Sequence, residues 1–329
     1  MDNIENFSTK QLVKFECKIK YELLKRFVDE ELEPKTKSVY SDDNDKLICK
    51  YCSSTNTIKA GKTKQCKQRY KCKDCNKNMI TVRNTLLFSS KKKVPSWLSF
   101  IASLLDGDSL SISSEKAKIS LRTAFRWRHK VLYLLNNKLN KSPLRGTVTL
   151  DETLFPNIQK SKNVPLSSEP AKRGMSSDKI NVTCAIDELN NSILKVTDTG
   201  RVTADSLIKI YSGFIEEGAS VVSDSHRSYH RLMNHLKVTW CKIPSKKKSI
   251  GEYSLEPINS FHALLKNFMQ KYHGVSVKYL QGYLALFEYQ RKNRNHHRKS
   301  VLNGLFLDIL TSEGHLKCEE IDSGAPIYY

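Results

Sequence analysis

TVTLDETLF, residues 147–155, alternates in the manner of a half-buried β-strand, and it carries Asp151 and Glu152 side by side on opposite faces. Two more strand patterns follow, INVTCAID (180–187) and SILKVTD (192–198), with a tight turn expected at Glu188–Asn191. Ala204–Glu217 reads as an amphipathic helix with Leu207, Ile208, Tyr211 and Ile215 on one face. Ala219–Ser223 is a short apolar strand that delivers Asp224. His226–His235 reads as a helix and Lys237–Cys241 (KVTWC) as a fifth strand. A lysine-rich loop, Lys246–Lys248, then leads to two helices near Glu256–Tyr272 and Val277–Asn293.

The order β-β-β-α-β-α-β-α-α is that of an α/β, RNase-H-like core, an antiparallel hairpin sheet extended by parallel strands. In that order Asp151 and Asp224 fall on adjacent strands, where two carboxylates can share Mg²⁺ ions about 3.5–4 Å apart and clamp the attacking and leaving oxygens of a phosphodiester. Hard oxygen donors suit Mg²⁺. The competing reading is that each aspartate merely caps a turn, as Asp224 before Ser225-His226 would. On the helix after the fifth strand, Ile258, Phe261, Leu265 and Phe268 form a buried stripe, while Asn259, His262 and Lys266 line a neighbouring polar face. An amide oxygen there can complete a metal shell at some cost in affinity, with the histidine and lysine close to a phosphate. The alternative is a polar face that only meets solvent.

Upstream, Cys49-x2-Cys52 and Cys72-x2-Cys75 stand nineteen residues apart. Thiolates two residues apart on a tight turn reach one ion, and two such knuckles supply the four soft ligands of a closed structural Zn²⁺ site. The loop between them, Thr55–Tyr70, is long enough for a β-hairpin arm. Four unrelated buried cysteines would be the plain reading, and a redox pair is disfavoured because the motif is doubled with no strand–helix pattern around it. Cys66 lies outside the register. Between ribbon and core, Trp97, Phe100, Ile101, Leu104 and Leu105 recur at helical spacing; a short helix is expected near Leu110–Ala117 and a longer one from the N-cap Ser120 through Leu135. This is a helix-turn-helix pattern whose Arg122, Arg126, Arg128 and Lys130 are placed to meet phosphates or base edges, unless they form an ordinary solvated basic face.

The net charge of +21 over 329 residues is concentrated: residues 46–130 hold 20 Lys and Arg against 4 Asp and Glu. Such a field points to a polyanion, and nucleic acid is the expected partner. No apolar run is long enough to span a bilayer, so no membrane partner is expected. The acidic, polar opening MDNIENFSTK argues against a secretory leader, and nine cysteines, four of them in metal spacing, suit a reducing compartment.

The chain resembles the zinc-ribbon insertion-sequence transposases with a DDE-type, RNase-H-like core, in the subset whose third ligand is often asparagine; eukaryotic Merlin-type transposases are relatives. The resemblance is carried by RYKCKDCNK (69–77), TAFRWRHKV (123–131), LDETLF (150–155), VVSDSHRSYHRL (221–232) and INSFHALLKNFMQKYHGVSVKYLQGYLALFEY (258–289). It covers residues 50–295 approximately, with Asn259, His262, Lys266, Gly274, Ser276, Lys278, Tyr279, Leu280 and Tyr283 as its most specific run. It implies Asp151, Asp224 and Asn259 as ligands of catalytic Mg²⁺ or Mn²⁺, with Glu256 or Glu288 as alternative third ligands. His262 and Lys266 are implied as supporting residues at the phosphate.

The expected organisation is an N-terminal helical segment and linker (1–46, with a helix over Leu12–Leu32), a zinc ribbon (47–90), a helix-turn-helix-like region (91–144), the transposase core (145–298) and a C-terminal tail (299–329). The expected function is transposition: binding of terminal inverted repeats in double-stranded DNA, then metal-dependent cleavage and strand transfer into target DNA by a homodimer or larger synaptic complex. Lys91, Lys92 and Lys93, with Lys246–Lys248, are expected to grip DNA backbone. The expected compartment is the nucleus in a eukaryote and the nucleoid in a bacterium. The main alternative is a domesticated or decayed transposase that binds DNA without cutting it.

Overall fold

The computed structural model describes residues 49, 51–62, 68–80, 90, 92, 94–138, 143–158, 179–199, 202–244, 247–311, 316 and 318–323. The helix expected over Leu12–Leu32, the linker after it, Cys66, Lys91, Lys93 and Lys246 lie outside the described residues. The chain divides into two compact units, residues 1–131 with 296–317, and residues 132–295 with 318–329.

The first unit opens with a three-stranded antiparallel sheet of β1 (Thr57–Lys62), β2 (Gln68–Cys72) and β3 (Asn78–Ile80), paired in that order. Three helices follow: α1 (Val94–Asp106), α2 (Leu110–Ala117) and α3 (Leu121–Lys138), the last of which crosses into the second unit. The α1 stripe is buried as the spacing predicts, with Trp97, Phe100, Ile101 and Leu104 inside and Leu105 half-buried. Trp97 stacks on Trp127 of α3 with ring centroids 3.6 Å apart, an arrangement that fixes one helix against the other. The boundaries have local causes. Ser109 accepts the Ile112 N–H and caps α2. Lys118 enters the left-handed region (φ 53°) and ends it, and Ser120 accepts the Thr123 N–H at 3.2 Å to start α3.

The second unit is built on one five-stranded sheet. β4 (Thr147–Pro156), β5 (Lys179–Asp187) and β6 (Ser192–Thr199) form an antiparallel meander, and after α4 (Ala204–Tyr211) the strand β7 (Ser220–Asp224) pairs parallel with β4. Helix α5 (Ser228–Leu236) leads to β8 (Thr239–Ile243), parallel to β7, so the sheet order is β6-β5-β4-β7-β8. That mixed order is the RNase-H-like arrangement. A two-strand hairpin of β9 (Ser249–Ile250) and β10 (Tyr253–Ser254) precedes α6 (Glu256–Gln270) and α7 (Val277–Lys292).

Alternation along the strands sorts side chains to two layers. Val148, Leu150, Ala185, Ile193 and Val221 pack with Leu207, Tyr211, Tyr229, Leu232 and Met233 in one core, beneath α4 and α5. The reverse face of β4 and β5 is covered by α6, which buries Ile258, Phe261, Leu265 and Phe268. Burial of this many aliphatic and aromatic side chains, at about 25 cal/mol per Å² of apolar surface, is the main source of stability in such a core. Edge strand β6 does not present a bare ladder to solvent along its whole length. The Gln281 side chain on α7 accepts the Val196 N–H at 3.0 Å and donates to Leu194 O at 3.1 Å.

Two expectations need correction. The helix expected over Ala204–Glu217 stops at Tyr211, because Ser212 and Gly213 (φ +79°) turn the chain out. Ile215 is buried through a parallel bridge to Leu144 instead of a helical face. The segment expected as a C-terminal tail contains helices: α8 (Arg298–Thr311) packs on α1 in the first unit, with Arg298 ion-paired to Asp106 at 2.5 Å. In the second unit α9 (Cys318–Ser323) accepts the Tyr279 hydroxyl at Ile321 O. Among the described residues no helix is long and apolar enough to cross a membrane.

Candidate active site and metal cluster

β4 and β7 pair only through Thr149–Val222, although β7 runs on to Asp224 beside Ile243 of β8. The ladder therefore ends two residues short of Asp151 and Asp224. With a side-chain period of two, both aspartates lie on the face shared by Thr149 and Val222, beneath α6. The result is a notch between central strands with a carboxylate on each side. One oxygen of each is already held: Asp151 Oδ1 accepts the Glu152 N–H at 2.9 Å, and Asp224 Oδ1 accepts the His226 N–H at 2.9 Å. Asp224 thus makes the turn-capping bond of the plain reading, and each side chain keeps its second oxygen for other use.

Burial pushes the Asp151 carboxyl up to about 6; the Glu152 N–H opposes this, the Asp224 charge adds to it, and Lys266 pulls the other way. Among the described residues neither aspartate accepts a hydrogen bond from a lysine or arginine. A half-buried, like-charged oxygen pair of this kind is the donor set that a hard divalent cation satisfies.

The polar face of α6 stands over this notch as its spacing predicts. His262 Nδ1 is 3.9 Å from Asp151 Oδ2. Burial, and then the Lys266 charge, hold the imidazole down to about 4, so at neutral pH this is a dipolar contact rather than an ion pair. His262 Nε2 is buried without a hydrogen-bond partner. Asn259, one turn earlier, and Lys266, one turn later, are exposed on the same side. Glu256 is exposed in the first turn. Glu288 is elsewhere: its buried carboxyl accepts the Ser192 hydroxyl at 2.7 Å, and Arg291 donates to the same Ser192.

On the opposite face lies a group that the strand pattern announced only as an adjacent acid. Burial, reinforced by Asp151 and Asp224, pushes Glu152 up to about 7, while Tyr229 opposes. Glu152 Oε1 and Tyr229 Oη are both buried and neither makes a bond of normal geometry. Cys184, paired with Asp151 across β4–β5, is fully buried on the site face and its thiol is held well above the ordinary range by burial. Sequence reading passed over Cys184 because a lone cysteine in an apolar strand carries no pattern.

In the first unit the four thiols converge. Cys49, Cys52, Cys72 and Cys75 place their Sγ atoms within 4.8 Å of one another, with Cys49–Cys75 at 3.5 Å and Cys52–Cys72 at 3.6 Å. A tetrahedral Zn²⁺ with bonds of about 2.3 Å requires sulfurs about 3.8 Å apart, so the cluster can hold such an ion. The two knuckles repeat each other's turn, since Ser53 (φ 56°) and Asn76 (φ 57°) each follow their second cysteine in the left-handed region.

Of the basic residues expected at DNA, Arg122 and Lys92 are exposed and Arg126 is half-buried. Arg128 is a correction. It is 3% exposed, with Nη2 donating to Asp108 O at 2.8 Å and Ser113 Oγ at 3.3 Å. Its helical position points it inward between α2 and α3, where it ties the turn before α2 to α3. Lys130 is buried as well.

Residues 143–292 match the model of the ISXO2-like transposase domain. No curated protein matches the chain. Among solved structures, a chain of the simian T-cell lymphotropic virus intasome in complex with a PP2A regulatory subunit is 12% identical. The alignment covers 62% of this chain and 66% of that one, just under two thirds of its length, at a TM-score of 0.26. The mariner Mos1 paired end complex with Mg is 13% identical over 70% of this chain and 82% of that one, at a TM-score of 0.29. Superpositions that loose carry no weight beside the sheet order and the domain match. The carboxylate notch, set in an RNase-H-like sheet, falls within the residues, 143–292, that match the ISXO2-like transposase domain, and the four-cysteine cluster precedes them in the sequence.

Proposed function

We propose that the protein is a DNA transposase whose front end binds terminal inverted repeats and whose core performs metal-dependent cleavage and strand transfer. The observation that carries this reading is the Asp151–Asp224 pair in the gap where β4 and β7 stop pairing. Oxygens of Asp151, Asp224 and Asn259 would hold Mg²⁺ or Mn²⁺. When bound, such ions supply Lewis acidity at both the attacking and the leaving oxygen of an in-line displacement. The rest falls to the chain. Lys266 sets its ammonium beside the notch for a non-bridging phosphate oxygen, and His262, neutral, offers one N–H and excludes water from the Asp151 side. Glu288 is spent on Ser192, which favours a donor from α6, and Asn259, on the same face as His262 and Lys266, is the one we assign over Glu256 in the first turn. The cysteine cluster would hold Zn²⁺, and Arg122, Arg126 and the lysine runs would hold DNA. Joining two element ends in one event calls for a dimer or larger synaptic assembly.

The test is cleavage and joining of a labelled duplex taken from the gene's own flanks, with the wild type compared with Asp224→Ala in Mg²⁺ and in Mn²⁺. Nicking at a repeat boundary plus joined product, both absent in the variant, is expected. Tight binding without cutting in either metal would overturn the catalytic reading and leave a DNA-holding protein. Cutting without joining would reduce it to a nuclease.

A further inference from the structure

The cysteine-bearing sheet has two unlike faces. Tyr70 and Met79, paired across β2 and β3, are buried with Cys49 and Cys72 around the thiol cluster. The other face carries a row that crosses all three strands, because Ile58 pairs with Lys71 and Lys71 with Asn78. Residues directly opposite on neighbouring strands share a face with Cβ atoms about 5 Å apart, so the three form one contiguous line. All three are exposed, Ile58 by 42%.

The surroundings are cationic. Between Cys49 and Ile80 the sequence has nine Lys and Arg against one acid, Asp74. That acid is engaged by Ser54 Oγ and by Asn56 Nδ2, the latter at 3.0 Å. Meanwhile the helix α3 has lost Arg128 to internal bonds, which removes one of the base-reading candidates there.

We infer that this sheet face seats in the major groove of double-helical DNA and reads base edges, with Lys71 and Asn78 as polar readers and Ile58 as the apolar one. The inference rests on the DNA-binding part of the proposed function and adds where and how the sequence is read. A two- or three-stranded ribbon fits the major groove. There a lysine pairs with guanine O6/N7, an asparagine is bidentate to adenine, and an apolar side chain meets the thymine methyl. A surface that gripped phosphates alone would have no use for an exposed branched hydrocarbon such as Ile58 in line with Lys71, whereas Asn78 can serve a phosphate or a base edge. A protein partner is disfavoured by the same charge ratio, since phosphates neutralise such a face most effectively.

The experiment is fluorescence anisotropy of the full-length zinc-loaded chain on a duplex from the gene's flanks and on its scrambled counterpart, across a salt series. Ile58→Ala and Asn78→Ala should each cut the preference for the native duplex about tenfold while leaving the scrambled affinity and the salt slope in place. Lys71→Ala should also reduce that preference, and Lys59→Ala, opposite Tyr70 on the face turned away from the groove, should leave the preference unchanged. Zinc content and thermal melting of each variant separate a lost contact from a lost fold. If Ile58→Ala and Asn78→Ala keep zinc and keep the wild-type preference, or lose affinity for both duplexes alike, the groove-reading face is refuted while DNA binding stands. If the wild type itself binds neither duplex, the proposed function fails first and takes this inference with it.

Discussion

Replacing Asp151 by asparagine should stabilise the metal-free core at pH 8 while abolishing its response to Mg²⁺. The carboxyl is raised from 3.8 to about 6, chiefly by burial and also by the Asp224 charge. Such a shift of roughly 2 units is worth about 3 kcal/mol at about 1.4 kcal/mol per unit. The side chain is 26% exposed, and solvent relaxation reduces this to about 1–3 kcal/mol. The sign follows from linkage. A carboxyl whose folded pKa lies above its unfolded value favours the folded state only when protonated, so the penalty is absent below the unfolded value of 3.8, grows between there and about 6, and is complete above. Asparagine keeps the acceptor for the Glu152 N–H and removes the charge. Its melting temperature at pH 8 should therefore exceed the wild type's by ~4–8 °C for ~2 kcal/mol, and the gap should close by pH 4. Differential scanning fluorimetry in Mg²⁺-free buffer reads this; a strong chelator is avoided because it would strip the cysteine cluster. Added Mg²⁺ should raise the wild type and leave Asp151→Asn unmoved. An asparagine variant less stable at pH 8, or a gap independent of pH, would refute the electrostatic account of the notch.

Four further substitutions test other parts of the structure. Cys52→Ser should cost the chain about one equivalent of zinc and unfold the β1–β3 sheet, seen by metal analysis and lost DNA binding, with the far-UV signal of the core retained. Arg128→Met should lower the stability of the first unit by about 2–3 kcal/mol without altering the salt dependence of DNA binding, whereas Arg122→Ala should flatten that log–log slope by about 1 and leave melting unchanged. Gln281→Leu strips the partner from Val196 N–H and Leu194 C=O on the edge strand. It should cost about 1–3 kcal/mol and promote concentration-dependent association in light scattering.

The core was legible because its strands carry strong period-two patterns and its acids fall at strand positions that the sheet order makes adjacent. Asp151, Asp224 and the His262–Lys266 face come together for reasons already present in spacing. What escaped the sequence has physical causes too. Ala204–Glu217 has helical spacing throughout, yet Gly213 can adopt φ +79° at no steric cost and the bridge at Leu144 captures Ile215. Arg128 looks like its neighbours in sequence, and only the helix's rotation shows that it faces Asp108 while Arg122 faces solvent. Residues 298–311 carry a weak pattern of their own, and their burial depends on α1, almost two hundred residues away, as the Arg298–Ala102 bond spans.

The charge balance of the notch bears on the neutral third ligand of the proposed site. Asp151, Asp224 and the buried Glu152 already place three acids within mutual electrostatic reach, and burial raises two of them toward neutrality. A fourth carboxylate, at the α6 position, would add like-charge repulsion in a low-dielectric pocket before any ion arrived, favouring protonated, non-ligating forms. An amide at Asn259 offers an oxygen without that repulsion, and Lys266 one turn and more along the helix offsets part of what remains. The cost is a weaker attraction for the cation, which the substrate phosphate can make up as an additional anionic ligand. On this account Asn259→Asp should tighten Mg²⁺ binding in the absence of DNA and raise the apparent pKa of activity. A variant with unchanged metal affinity would place Asn259 outside the coordination shell.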